Sequence, residues 1–186
     1  MIFPMKKILL TGFEPFGGSD INYSEEAVKL CSVPDNVDKA LIPVGFEVSH
    51  RRVAELLEKD SYDAVILVGQ AGARDAVTVE KIGINWQQAG IPDNYGVMPL
   101  GEKLEEDGPD GIFSKVDINA LIKAMNEKGV GARISFSAGS YVCNALYYRT
   151  LLAFPGKETV FIHLPAKELE KSVTALEAAV KYAMND

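Results

Sequence analysis

Ala64-Val65-Ile66-Leu67-Val68-Gly69 is a short, unbroken apolar run closed by a glycine. A run of this length reads as a strand buried on both faces, the kind that lies inside a parallel sheet with helices covering each side. The sequence before it supplies such helices and further strands. Val48, Val53, Leu56 and Leu57 recur at helical spacing from Glu47 onward, and Val37 to Val44 reads as another strand. Asn22 or Ser24 can cap a helix running to about Leu30, with Glu25 and Glu26 in the first turn to complement its positive end. Before that, Ile8-Leu9-Leu10 centres a strand from Lys6 to Phe13, which Gly12 helps to close.

On the C-terminal side the alternation continues with one interruption. Val77 to Trp86 reads as a strand or hairpin arm whose imperfect alternation leaves room for a bulge at Gly83. Gln87 to about Phe113 is dense in turn residues and longer than ordinary connections, as functional loops often are. Asp117 can cap a helix through Asn126 that Gly129 ends, Ala132 to Ser137 reads as a strand, and a helix follows around Cys143. Thr159 to Leu164 is the last strand, and Leu169, Val173, Leu176, Ala179 and Val180 give the final helix a core-facing stripe between Ala166 and Met184. The expected architecture is α/β: one domain over residues 1–186, a three-layer α/β/α sandwich with a largely parallel, partly mixed sheet whose antiparallel members lie near Glu80.

Composition narrows the function. The 186 residues can bury a substantial core without staples, and a net charge of −7 disfavours nucleic acid or an anionic membrane as partner. The apolar run after Lys6-Lys7 is too short to span a bilayer, and the N-terminal segment lacks a small-residue cleavage site, so a soluble, cytoplasmic protein is expected. The two cysteines, Cys31 and Cys143, cannot form a dense disulfide framework, and His50 and His163 lack zinc-site spacing, so no metal is expected. The glycines at 12, 17, 18 and 69–72 do not fall in a phosphate-cradling order, and no cofactor is assigned.

The chemistry centres on Cys143, in Ser140-Tyr-Val-Cys-Asn-Ala between a β-rich run and an apolar helix. Free N–H groups at a helix start favour the thiolate, the reactive form of cysteine. Glu80 and His163, each in a separate strand, supply the acid and the base of a candidate triad. Cys31, on the apolar face of a helix, reads as packing.

Thr11-Gly-Phe-Glu-Pro-Phe-Gly-Gly, Val79-Glu-Lys-Ile-Gly-Ile-Asn, Ile91-Pro-Asp-Asn, Ala138-Gly-Ser-Tyr-Val-Cys-Asn and Phe161-Ile-His-Leu-Pro together resemble the pyroglutamyl peptidase I, or pyrrolidone carboxyl peptidase, family. The blocks occur in family order across most of the chain. The resemblance implies a cytosolic cysteine exopeptidase, often a homotetramer, that needs no cofactor and removes N-terminal pyroglutamate from peptides. It makes Cys143 the nucleophile, His163 the base and Glu80 the acid that orients the imidazole. Phe13 and Phe16 correspond to residues packing on the pyrrolidone ring, Gln70 to a position whose backbone meets the lactam, and Ile91, Tyr141 and Val142 to pocket walls. A neutral lactam calls for such apolar faces and a few directed hydrogen bonds.

The match departs at Gly90, where the family usually has an arginine, and at Ala73, where it more often has glycine. Loss of that arginine removes a cation that can support developing charge or hold a closing loop. Arg74 is the candidate to compensate; otherwise it is a surface charge. Two alternatives follow: a pyroglutamate- or peptide-binding homologue with weakened turnover, and a cysteine amidase for a related cyclic or N-acyl substrate.

Overall fold

A computed structural model describes residues 5–185. The first four residues, part of the N-terminal segment just discussed, and the last one lie outside that range. Six strands form the main sheet in the order β2-β1-β3-β8-β4-β7: β1 (Ile8–Phe13), β2 (Val37–Ile42), β3 (Ala64–Gln70), β4 (Thr78–Glu80), β7 (Arg133–Ser135) and β8 (Glu158–Leu164). β2, β1, β3 and β8 run parallel, β4 is antiparallel to β8, and β7 is parallel to β4. The largely parallel sheet with its reversal at Glu80 thus has the expected form.

Helices cover both faces. α1 (Tyr23–Leu30), α3 (Ile118–Asn126) and α5 (Leu169–Asn185) pack on one side around Ile8, Leu10, Ile66, Val68, Val160 and Ile162. α2 (Val48–Lys59) and α4 (Val142–Ala153) pack on the other around Leu9, Val65, Leu67 and Phe161. Each fully buried Leu, Ile or Phe contributes about 1.5–3 kcal/mol of transfer free energy. The helix starts follow their side chains: Asn22 accepts from the Ser24 N–H and Asp117 from the Ala120 N–H. Gly129 adopts φ 78° just past α3, as a helix-ending glycine does. Among the described residues no helix is long and apolar enough to cross a membrane.

The segment Val77 to Trp86 corrects the sequence reading. It is not one arm with a bulge: β4 ends at Glu80, and β5 (Ile82–Ile84) leaves the main sheet to pair antiparallel with β6 (Gly111–Phe113). β6 lies at the end of the stretch read from sequence as a long, turn-rich loop. Gly83 has another reason to be glycine, since a Cβ there would stand 2.9 Å from the Tyr148 Cα of α4. The small sheet therefore packs backbone-close on α4, and Asn144 locks it by accepting from the Ile84 N–H and donating to the Ile84 and Trp86 carbonyls. Covered by β5, α2 and the main sheet, α4 buries every residue from Asn144 to Leu151.

Candidate active site

Strand alternation puts the chemical groups on one face. Thr78 pairs with His163 and Glu80 with Phe161, while Gly69 of β3 pairs with His163 of β8. Side chains two apart on a strand, and those of paired residues, project to the same side. Gly69, His163 and Glu80 therefore all face α4, whose second residue is Cys143. A Cβ on Gly69 would lie 2.9 Å from the Cys143 sulfur and equally close to the Phe161 ring, so the thiol rests on the bare backbone of the residue that pairs with His163. No side chain caps the start of α4.

His163 and Glu80 are both buried, and Nδ1 of the imidazole lies 2.8 Å from Glu80 Oε1. The Phe161 ring packs on the imidazole with centroids 4.7 Å apart. Tyr147 of α4 donates its hydroxyl to the Glu80 carbonyl at 2.9 Å, fixing the backbone under the carboxylate. Arg74 reaches the same carboxylate: its Nη1 donates to Glu80 Oε1 at 2.5 Å and to the Thr78 hydroxyl, and its Nη2 to the Ser137 carbonyl at 2.8 Å. Arg74 is thus a partner of the buried acid, and a surface charge is the wrong description.

Burial opposes ionisation of Glu80, but the hydrogen bond and positive charge offered by His163, with Ser135 and Arg74, outweigh it and lower its pKa. Burial pushes the His163 pKa down, against the pull of Glu80. The Cys143 thiol is pushed up to about 12, first by burial and then by the nearby Glu80 charge, with Arg74 opposing. The partly exposed thiol thus feels the helix start and Arg74 on one side and desolvation and Glu80 on the other, and desolvation is the larger.

A narrow cavity opens against the sulfur, lined by Phe13, Phe16, Asn22, Val44, Gln70, Tyr141, Val142 and Cys143. Its free volume is only about 10 Å³, which makes it a tight slot. Five of the residues expected from sequence to form a substrate pocket, Phe13, Phe16, Gln70, Tyr141 and Val142, line it. Ile91 does not; it is half-exposed, next to Gly17 at the rim. Gln70 Oε1 accepts from the Tyr23 N–H at 2.7 Å, which fixes that wall to α1.

Asn22 and Val44 line the slot without having been singled out from sequence, because only the fold brings the α1 cap and the end of β2 to this place. Asp93 was also missed. It is buried and accepts from the Phe46, Tyr95 and Val97 N–H groups, while Tyr141 donates to the Pro92 carbonyl. The Pro-Asp-Asn sequence was a usable signal for such a turn. Gly90 has open space where a side chain would start. Among the described residues no group of three or more His, Cys, Asp or Glu side chains is placed to hold a metal ion.

A thiol at a helix start, beside a buried imidazole and carboxylate on a parallel sheet, is the make-up of a cysteine hydrolase. Residues 6–185 match the model of the pyroglutamyl peptidase family, to which this chain belongs. It is 42% identical over 200 residues to the pyrrolidone-carboxylate peptidase of Lactobacillus acidophilus, covering 96% of this chain and 99% of that protein. It is 40% identical to the Thermococcus onnurineus protein of the same name, covering 94% of each. The crystal structure of pyroglutamyl peptidase I from Bacillus amyloliquefaciens superposes with a TM-score of 0.92 at 33% identity, covering 98% of this chain and 96% of that one.

Proposed function

We propose that this chain is a cysteine exopeptidase that hydrolyses the bond after an N-terminal pyroglutamyl residue, with Cys143, His163 and Glu80 as its catalytic triad. The observation that carries the reading is the apolar slot that ends on the Cys143 sulfur. The pyroglutamyl ring, neutral and lacking a free amine, suits walls of Phe13, Phe16, Val44 and Val142, and in this reading the Gln70 backbone meets the lactam. Entry requires Phe16 and Tyr141, both only partly buried, to swing apart. Ile91 acts from the rim.

In the reaction the thiol attacks the pyroglutamyl carbonyl as His163 takes its proton through Nε2, since Nδ1 is committed to Glu80. The N–H groups at the start of α4 face the oxygen that gains charge. The C–N bond breaks as the imidazolium protonates the leaving amine, giving a thioester and the shortened peptide. Water, deprotonated by His163, then releases pyroglutamate and restores the thiol. The buried Glu80 carboxylate stabilises each imidazolium. Burial disfavours the free thiolate, so the thiolate forms as the proton moves to histidine.

The same reading places the enzyme in the cytoplasm as one domain, without cofactor, and as a homotetramer. Exposed Trp86, Ile91, Tyr95, Val97, Met98 and Leu100 supply an apolar surface for subunit contacts. Neither nucleic acid nor membrane is a partner.

Incubation with a pyroglutamyl amide and a matched prolyl amide tests the proposal. Release from the former alone is expected, and Cys143→Ser should abolish it. No release, or equal release from both, overturns it. The open space at Gly90 favours one second reading, a pyroglutamate-binding homologue with weak turnover; pyroglutamate binding without peptide cleavage is its signature.

A further inference from the structure

We infer that Arg74 is a positioning residue of the reaction: its guanidinium ties the Glu80 carboxylate to the stretch of chain that delivers Cys143 and keeps that carboxylate aimed at His163. The inference rests on the function proposed above only for its effect on turnover. Arg74 follows β3 in a turn, its side chain 26% exposed. Nη1 meets Glu80 Oε1 at 2.5 Å, the same oxygen that lies 2.8 Å from His163 Nδ1. Nη2 meets the Ser137 carbonyl at 2.8 Å, in the connection between β7 and α4. One planar fork thus joins the loop after β3, the acid on β4 and the lead into the nucleophile's helix. A lysine, a single point of charge, cannot bond in both directions with fixed geometry.

Charge accounting supports the assignment. When the proton passes from sulfur to imidazole, the buried group comprises thiolate, imidazolium, the Glu80 carboxylate and the Arg74 guanidinium, which sum to zero. Without Arg74 the cluster carries a net negative charge in a desolvated place, a costly state. The titratable and charged groups facing the cluster are Glu80 from β4, Arg74 from the turn after β3, and Cys143 and Tyr147 from α4, with Tyr141 and Asp93 beyond the sulfur. The guanidinium lowers the pKa of both His163 and Cys143. It therefore keeps the base unprotonated and eases ionisation of the thiol.

Arg74→Gln and Arg74→Lys, compared with the full-length wild type, test this through two readouts. The first is kcat/KM for a pyroglutamyl amide against pH. The second is the pH dependence of Cys143 alkylation by iodoacetamide, with the modified site read by mass spectrometry. Arg74→Gln should lower kcat/KM by about 10–100-fold, chiefly through kcat. It should also move the acid limb of that profile and the alkylation limb to higher pH. Arg74→Lys should leave both limbs near the wild-type positions yet recover only part of kcat. A loss of turnover with both limbs unmoved marks a merely structural residue and overturns the inference, as does full wild-type kcat in Arg74→Lys. That second criterion decides the matter if Arg74→Gln does not fold. Alkylation needs no substrate, so absence of pyroglutamyl cleavage would sink the proposed function while the alkylation limb still judged Arg74.

Discussion

The two faces of the main sheet are built from the same strands, yet only one of them also carries chemistry. Toward α1, α3 and α5 its centre is aliphatic: Ile8, Leu10, Ile66, Val68, Val79 and Ile162 pack there. Toward α2 and α4 the alternate residues of those strands include Gly69, Glu80 and His163, with Cys143 set against them. Both faces bury an apolar core that stabilises the fold, but only the second also contains groups that cost energy to bury. Period-two alternation lets one peptide unit separate the two tasks, and the adjacent residues Ile162 and His163 sit on either side of that division. Substitutions that act on stability should therefore separate from those that act on turnover, even at neighbouring positions.

The sharpest break comes from Glu80→Gln. It keeps the shape but removes the carboxylate that fixes the His163 tautomer, so kcat should fall by about 10⁴-fold, as loss of the acid does in comparable triads. Steady-state kinetics with a pyroglutamyl amide measures this; a fall under tenfold would remove Glu80 from the triad. Ile162→Ala, on the aliphatic face, should act in the reverse sense. Ile162 is fully buried, and the lost contacts and residual cavity should cost about 2–5 kcal/mol in urea unfolding. The folded fraction should retain kcat/KM within about twofold, since additivity holds when a substitution shares no partners with the site. A large loss of kcat/KM there would show that the two faces are not independent.

How much of this was legible before the structure depended on how local the cause was. Ala64 to Gly69, the Asn22 and Asp117 caps and Gly129 carry their signals within a few residues, and the elements they define appear with ends shifted by a residue or two. The split after Glu80 was not legible, because β4 and β5 are three residues each and their alternation reads as one strand. β6 was hidden among turn residues, since its pairing with β5 is a long-range contact. At the site, no local pattern distinguishes Cys143 from a packing cysteine or His163 from a core histidine; the ordered family blocks raised them. The Arg74 contact with Glu80 crosses the end of the sheet, and the slot positions of Asn22 and Val44 depend on three elements meeting. Neither leaves a trace in spacing.

Gly69→Ala refines the contrast by adding a single methyl on the chemical face. Its Cβ would stand 2.9 Å from the Cys143 sulfur and the Phe161 ring, closer than real Cβ contacts allow, so one of them must shift. The overpacking should cost about 1–3 kcal/mol of stability. Displacement of the sulfur should lower kcat by about 10²-fold, because the attack depends on alignment. Wild-type kcat in this variant would mean that the thiol does not rely on the Gly69 backbone for its position.

The smallest effect expected is the share of the pH dependence of stability that comes from the chemical face. His163, whose pKa is lowered from an ordinary 6.5 chiefly by burial, favours the fold when neutral. Its contribution is fully present above about pH 6.5 and is lost as pH falls through the folded-state pKa, because the unfolded chain binds the proton more readily. Glu80, lowered from an ordinary 4.5, acts in the same direction further down the scale. Urea midpoints should therefore decline from about pH 6.5 downward, first through His163 together with His50, whose pKa burial also lowers, and then through Glu80. His163→Phe should flatten the upper part of that decline, whereas Ile162→Ala should shift the whole curve down without changing its slope. An unchanged slope in His163→Phe would show that the imidazole is no more costly to protonate in the fold than in the open chain, and the separation of duties between the two faces would then lose its electrostatic half.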